Sequence, residues 1–419
     1  MEAEMDVASP SCYTQTICAG ETDDLIRDWW VRNLPSAWLM ALWLAALASL
    51  AGMFLLLPEN SWDLRVLSEG MHYLRTGLDP YAASIAHQKA EAAHGHRVFL
   101  YWYPPFSIEF LKVVNVVPAL LREVMFWIVY AVGFALQLWT GSRFALLSER
   151  RMLRFVFPLV MFFPAFVPSD TLLSGNIAIP MYGAVLAAAV RGWRTGRWGI
   201  FFTAVIGASL LKPPMLLWLL IPFFIGSAQL IPAIAAGTCG VGLFAVQKLL
   251  WPERFAEFMA AIRYALPLEI NYSIEARYGE LLRSIGHPSD RAALALFAAS
   301  SLAVFGVLLY FAREFRRGHV QAQTFVVVVL VSTALLMPRL KEYDLLPLTV
   351  PMALIVLRAV RTRAALIVLA LGTVAVGAAL IADHITAVDT ISVSAVFVAG
   401  AFGLHEEVRA RRALQEARA

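Results

Sequence analysis

Residues 198–247 read WGIFFTAVIGASLLKPPMLLWLLIPFFIGSAQLIPAIAAGTCGVGLFAVQ, and Lys212 is the one charged side chain in the run. One membrane crossing needs only about 20 apolar residues, and Pro213-Pro214 breaks any helix that enters it. We read the run as three successive membrane helices, near 198–211, 214–226 and 228–249. Shorter helices can span where neighbours bury their ends. Moving outward, the same criterion predicts spans near 37–57, 122–145, 155–169 and 177–190 on one side. On the other it predicts 293–312, 322–337, 345–358, 364–382 and 391–404. The expected fold is therefore an all-α polytopic membrane protein with about twelve transmembrane helices. The segment 106–119 is also apolar but holds Glu109, Lys112, Asn115 and Pro118, so it reads as a short or re-entrant piece.

Composition agrees. The 419 residues are 60% hydrophobic and 15% charged, with a mean hydropathy of +0.68, whereas soluble domains carry roughly 25% charged residues. A core cannot hide that apolar excess, so a lipid bilayer is the expected solvent for part of the surface. A formal charge of +4 gives no reason to expect nucleic acid. Cys12, Cys18 and Cys239 form no disulfide framework, and no His beside them suggests zinc. Residues 1–36 carry Glu2, Glu4, Asp6, Glu21, Asp23 and Asp24 and lack the cationic start of a signal peptide.

Orientation follows from the Lys/Arg bias of cytoplasmic loops. The basic clusters at 149–154, 191–197, 313–317, 358–363 and 409–412 all fall on the N-terminal side when the spans alternate, provided 106–119 does not cross. This predicts a cytoplasmic segment 1–36, a membrane-embedded domain 37–404 and a cytoplasmic tail 405–419. The other face receives two long loops, 58–121 and 250–292, rich in Trp, Tyr and Pro and hence expected to be ordered. Within the first, residues 63–76 form an amphipathic stretch suited to the membrane surface.

Chemistry concentrates on that face. Asp63 follows Trp62 at the mouth of the first helix, where partial burial would tune a carboxylate toward general-base work; equally, it would cap a helix over 64–76. Lys212 is costly within its apolar run unless it snorkels or meets an anion. In Pro338-Arg339-Leu340-Lys341-Glu342-Tyr343-Asp344, Arg339 and Lys341 suit a phosphate, against the alternative of a solvated turn. Gly175-Asn176 offers close backbone approach and a polar side chain at a helix start, whether for a sugar hydroxyl or as an ordinary cap. Tyr101-Trp102-Tyr103 provides aromatic faces for a sugar or lipid, or an interfacial belt. Asn271-Tyr272-Ser273 matches a glycosylation sequon with no other sign of a secretory host. The sequence contains no P-loop, dinucleotide fingerprint or metal constellation, so no cofactor is expected.

Read together, these residues resemble glycosyltransferase family 87, mannosyltransferases of the GT-C fold that include actinobacterial enzymes building phosphatidylinositol mannosides. Asp63-Leu64-Arg65 with Gly77-Leu78-Asp79-Pro80-Tyr81 is similar to the first-loop motif, and Tyr103-Pro104-Pro105 to the Tyr-Pro-Pro motif. Lys212-Pro213 is similar to the Lys-Pro motif and Asn271-Tyr272-Ser273 to Asn-x-Ser; Gly175-Asn176 matches Gly-Gln-x-Asn in part. The family's late Trp and His are replaced here by Arg339 to Asp344. The resemblance implies a multi-pass enzyme of the bacterial plasma membrane with both termini cytoplasmic and an extracytoplasmic site. It implies a polyprenyl-phosphate sugar donor and a lipid or glycan acceptor. Asp63 would be the base, and Lys212, Arg339 and Lys341 the phosphate ligands. Arg65, Asp79, Tyr81, Tyr101, Tyr103, Asn176, Asn271, Ser273, Glu342, Tyr343 and Asp344 would meet sugar or acceptor. The rival reading is a secondary transporter or lipid flippase, which interrupted helices and a lone intramembrane lysine also suit.

Overall fold

A computed structural model describes residues 40, 43–45, 48, 61–94, 100–146, 149–150, 153–154, 169–226, 229–268, 274–284, 286, 289–359, 362–381 and 385–417. Among these the regular elements are all helical. The expected spans 37–57 and 155–169 lie largely outside the described residues.

Three short helices follow Ser61: α1 (Trp62–Arg75), α2 (Pro80–Ala92) and α3 (Phe106–Val114). α2 begins with Asp79 accepting from the Tyr81 and Ala82 amides and Pro80 in the first turn, a standard helix-start pairing. α3 covers about 14 Å, too short to cross about 30 Å of hydrocarbon, which accords with a short piece at 106–119. α9 (Pro252–Leu268), from the second long loop, packs on this group. Val66, Leu67, Met71, Tyr81, Tyr101, Ile108, Leu111, Phe258 and Ala261 form one buried cluster. Described residues of the two long loops thus share a core of their own.

The bundle contains α4 (Ala119–Ser142), α5 (Ala178–Thr195), α6 (Gly199–Leu211), α7 (Leu220–Ile225) and α8 (Leu230–Leu250). α10 (Ile274–Ser284) precedes α11 (Asp290–Arg316), α12 (Ala322–Leu336), α13 (Thr349–Ala359), α14 (Arg363–Ile381) and α15 (Ile385–Glu416). Five helices of the described residues are long and apolar enough to cross a membrane, and three shorter apolar ones accompany them. α12 is central. Phe325 through Leu335 are buried on every side, as expected of a helix apolar all round. α4, α8, α11 and α14 instead expose Leu120, Ile231, Leu302 and Val374, which suits lipid contact.

Two expected spans begin differently from the prediction. Pro213–Leu219 and Leu346–Leu348 are 3₁₀ turns before α7 and α13, because Pro213, Pro214 and Pro347 have no N–H to enter an α-helical ladder. The last helix is also longer than 391–404: it runs on to Glu416, about 48 Å in all, beyond the thickness of the hydrocarbon.

The basic clusters gather at one end. Arg358 forks onto Glu149 at 2.9 Å and donates to the Phe144 carbonyl. Glu314 takes Arg317, His319 and Arg412, and Trp193 packs on Phe144. Asn176 stands at the other end of α5, about 27 Å away.

α4 and α5 meet through Gly133, Pro180 and Gly183, small residues of the kind that let membrane helices approach. A methyl on Gly183 would strike the Gly133 carbonyl, which is backbone and cannot rotate away. Gly183→Ala should therefore cost about 1–3 kcal/mol, read as a lowered melting temperature in detergent. An unchanged melting temperature would mean the two helices separate freely.

Candidate active site

The site forms where α1, the start of α5, the 212–213 break and the 338–344 turn converge. α1 starts at Trp62, after Ser61 in the left-handed region at φ 60°. The Ser61 and Asp63 amides donate to the carbonyls of Leu173 and Ser174 at 2.7 and 2.8 Å, so α1's first donors are met from the 3₁₀ turn Ser169–Leu173. Asp63 consequently sits inside the first helical turn and does not cap a helix over 64–76.

Its carboxylate is held from across the gap. Asn176 Oδ1 accepts the Ala178 amide at 2.8 Å, which turns Nδ2 toward Asp63 Oδ2 at 3.0 Å. Gly175, at φ +68°, makes the approach feasible: a Cβ there would lie 2.9 Å from that of Leu64. Asn176 is thus both the helix start that the sequence indicates and the orienting donor of Asp63.

Lys212 terminates α6, its Nζ 2.9 Å from Asp344 Oδ1. Tyr182 donates its hydroxyl to the same oxygen at 2.6 Å, and the Lys341 amide donates to Oδ2 at 3.1 Å. The ammonium lies 3.7 Å from the centre of the Tyr343 ring and 5.6 Å from that of Tyr182. Burial pushes Lys212 down to about 8; Asp344 opposes that shift, Arg339 adds to it, and Asp63 opposes it more weakly. Lys212 therefore feels the charge of both Asp63 and Arg339. Arg339 lies over the Trp102 ring at 4.1 Å, with Lys341 5.8 Å from the same ring. Burial raises the Tyr103 and Tyr343 hydroxyls, and the Asp63 carboxylate raises both further.

The remaining predicted residues divide. Tyr103 and Tyr343 stand with Asp63 and the cations. Tyr81 and Tyr101 lie beneath, fully buried: Tyr81 donates to the Tyr103 carbonyl at 2.7 Å and Tyr101 pairs with Ser107. Asp79 is occupied as the α2 cap, and Arg65 is exposed. Asp344, only 4% exposed, is the partner of Lys212. Asn271 and Ser273 lie outside the described residues, as does the Glu342 side chain. Sequence reasoning missed Tyr182, which nothing marks in its apolar helix; Trp102, named among the aromatic faces, is the ring on which Arg339 lies.

Among the described residues no group of three or more His, Cys, Asp or Glu is arranged to hold a metal. What the arrangement offers is one carboxylate oriented by Asn176, together with Lys212, Arg339 and Lys341 set against the Tyr343 and Trp102 rings.

No curated protein matches the chain. Residues 101–338, more than half of it, do match a family, and they include Tyr103, Asn176 and Lys212 but neither Asp63 nor the turn from Arg339 to Asp344. On that match, the chain belongs to glycosyltransferase family 87.

Proposed function

We propose that the protein is a membrane glycosyltransferase of the GT-C type that moves a sugar, mannose on the family's precedent, from a polyprenyl-phosphate donor to a hydroxyl of a lipid or glycan acceptor. The reading places the reaction at the extracytoplasmic face of a bacterial plasma membrane. Its main support is that Asn176 orients Asp63 while Lys212, against the Tyr343 ring, feels the charge of both Asp63 and Arg339, although these residues are far apart in sequence.

In the proposed step Asp63 accepts the acceptor hydroxyl's proton as that oxygen attacks the anomeric carbon. The bond from that carbon to the donor phosphate oxygen breaks, and the phosphate leaves as a monoester. Lys212, Arg339 and Lys341 stabilise the charge that gathers on its oxygens. One displacement inverts the anomeric centre, giving an α-linkage from a β-linked donor. The polyprenyl tail remains in lipid, against the apolar flanks of the bundle.

Purified protein supplied with polyprenyl-phosphate mannose and a membrane lipid extract should transfer label to lipid. Because protein cations take the leaving phosphate in this scheme, a chelator should leave the rate within about twofold. A lasting loss restored by a divalent metal would overturn the metal-free step, and absence of transfer across a panel of polyprenyl-phosphate sugars would overturn the donor class.

A further inference from the structure

Arg277 has no part in the mechanism above, yet it is only 3% exposed. It belongs to α10, in the second long loop. Its Nη1 donates to the Met337 carbonyl and its Nε to Thr390 Oγ1, both at 2.8 Å. Its Nη2 is buried with no hydrogen-bond partner. A buried guanidinium with an unmet donor is expensive, and an apolar side chain would fill that space at lower cost. Packing alone is therefore a poor account of it.

Its position explains more. Met337 follows the end of α12, and only Pro338 separates it from Arg339. The hydrogen bond from Arg277 fixes the plane of the Met337–Pro338 peptide, and the Pro338 ring fixes the next φ. Few soft dihedrals then remain before the Arg339 Cα. The far end of the turn is staked as well: the Asp344 amide donates to the Lys341 carbonyl at 2.8 Å, its carboxylate accepts the Lys341 amide, and Leu340 is buried. Arg339 and Lys341 thus project from a segment pinned at both ends, and Arg277 is the pin on the Met337 side.

Resting on the transferase reading, we infer that Arg277 is a positioning residue of the donor site, tying the second long loop and α15 to the turn that presents Arg339. It acts through the Met337 carbonyl and touches no substrate.

A double-mutant comparison tests this. Arg277→Met should raise the donor KM about tenfold and leave the acceptor KM within about twofold. In an Arg339→Ala background the same substitution should add less than about twofold, because the group it positions is gone. Arg277→Lys, which keeps one donor for Met337, should recover part of the effect and replaces Arg277→Met if that protein is not monodisperse. Equal losses toward donor and acceptor, or full additivity with Arg339→Ala, would overturn the inference. Hydrogen exchange in lipid nanodiscs separates it from the transferase reading. Arg277→Lys should speed exchange at 339–344 and leave 178–195 unchanged, whether or not the wild-type protein transfers sugar. Unchanged exchange at 339–344 would sink the positioning role.

Discussion

Asp63→Asn should lower kcat for sugar transfer by about 10²–10⁴-fold, the range that a general base contributes, while the donor KM stays within about threefold. The substitution is nearly isosteric. The bond from the residue 63 amide to the Ser174 carbonyl is backbone and survives, and the new side-chain oxygen can still accept from Asn176. What disappears is the capacity to take a proton. The first turn of α1 also loses a negative charge near its N-terminus, worth about 0.3–1 kcal/mol, too little to unfold the helix. Asn176→Ala should be milder, about tenfold, because it removes the orienting donor and leaves the base. Single-turnover kinetics on both variants check the order. A folded Asp63→Asn protein with near-normal kcat would remove Asp63 from the role of base.

How far the sequence anticipates this geometry depends on the range of the interaction involved. Among the described residues five helices are long and apolar enough to cross a membrane, legible because such a helix is specified locally, by about 20 residues without charge; prolines impose 3₁₀ starts at 213–219 and 346–348. The gathering of basic clusters at one end was likewise legible, since charge bias follows span parity. Asp63 and Lys212 stood out for being costly where they lie. Their partners did not. Tyr182 and Asp344 are 162 positions apart, and no local pattern announces that a carboxylate in a charged turn will be consumed by a lysine and a tyrosine from two other helices. Tyr81 and Tyr101 illustrate the converse: a buried aromatic and a sugar-stacking aromatic look alike in sequence, and only burial separates them. Arg277 is hidden differently, since one arginine in the amphipathic helix Ile274–Ser284 reads as a solvated face. Asp79 is expected to contact sugar or acceptor, whereas its carboxylate caps α2 through the Tyr81 and Ala82 amides.

Lys212 poses the sharpest question, because its partner is structural and its proposed task is chemical. Lys212→Met leaves the Asp344 carboxylate buried with only Tyr182 and the Lys341 amide, and should cost about 3–5 kcal/mol, as when one member of a buried pair is removed. Donor kcat/KM should fall about 10²–10³-fold, as when one stabilising donor is taken from a developing oxyanion. Stability loss alone could imitate the second effect, so the double variant decides. Lys212→Met with Asp344→Asn removes both charges together and should recover most of the melting temperature, since no unpaired ion remains. Transfer should stay low, because the cation facing the leaving phosphate is still missing. The pH profile provides an independent check. The protonated ammonium is the active form and burial lowers it to about 8, so the basic limb of wild-type kcat/KM for the donor should decline as pH rises through that value. The double variant should lose that limb. If it regains transfer along with stability, Lys212 serves the fold alone and the phosphate belongs to Arg339 and Lys341.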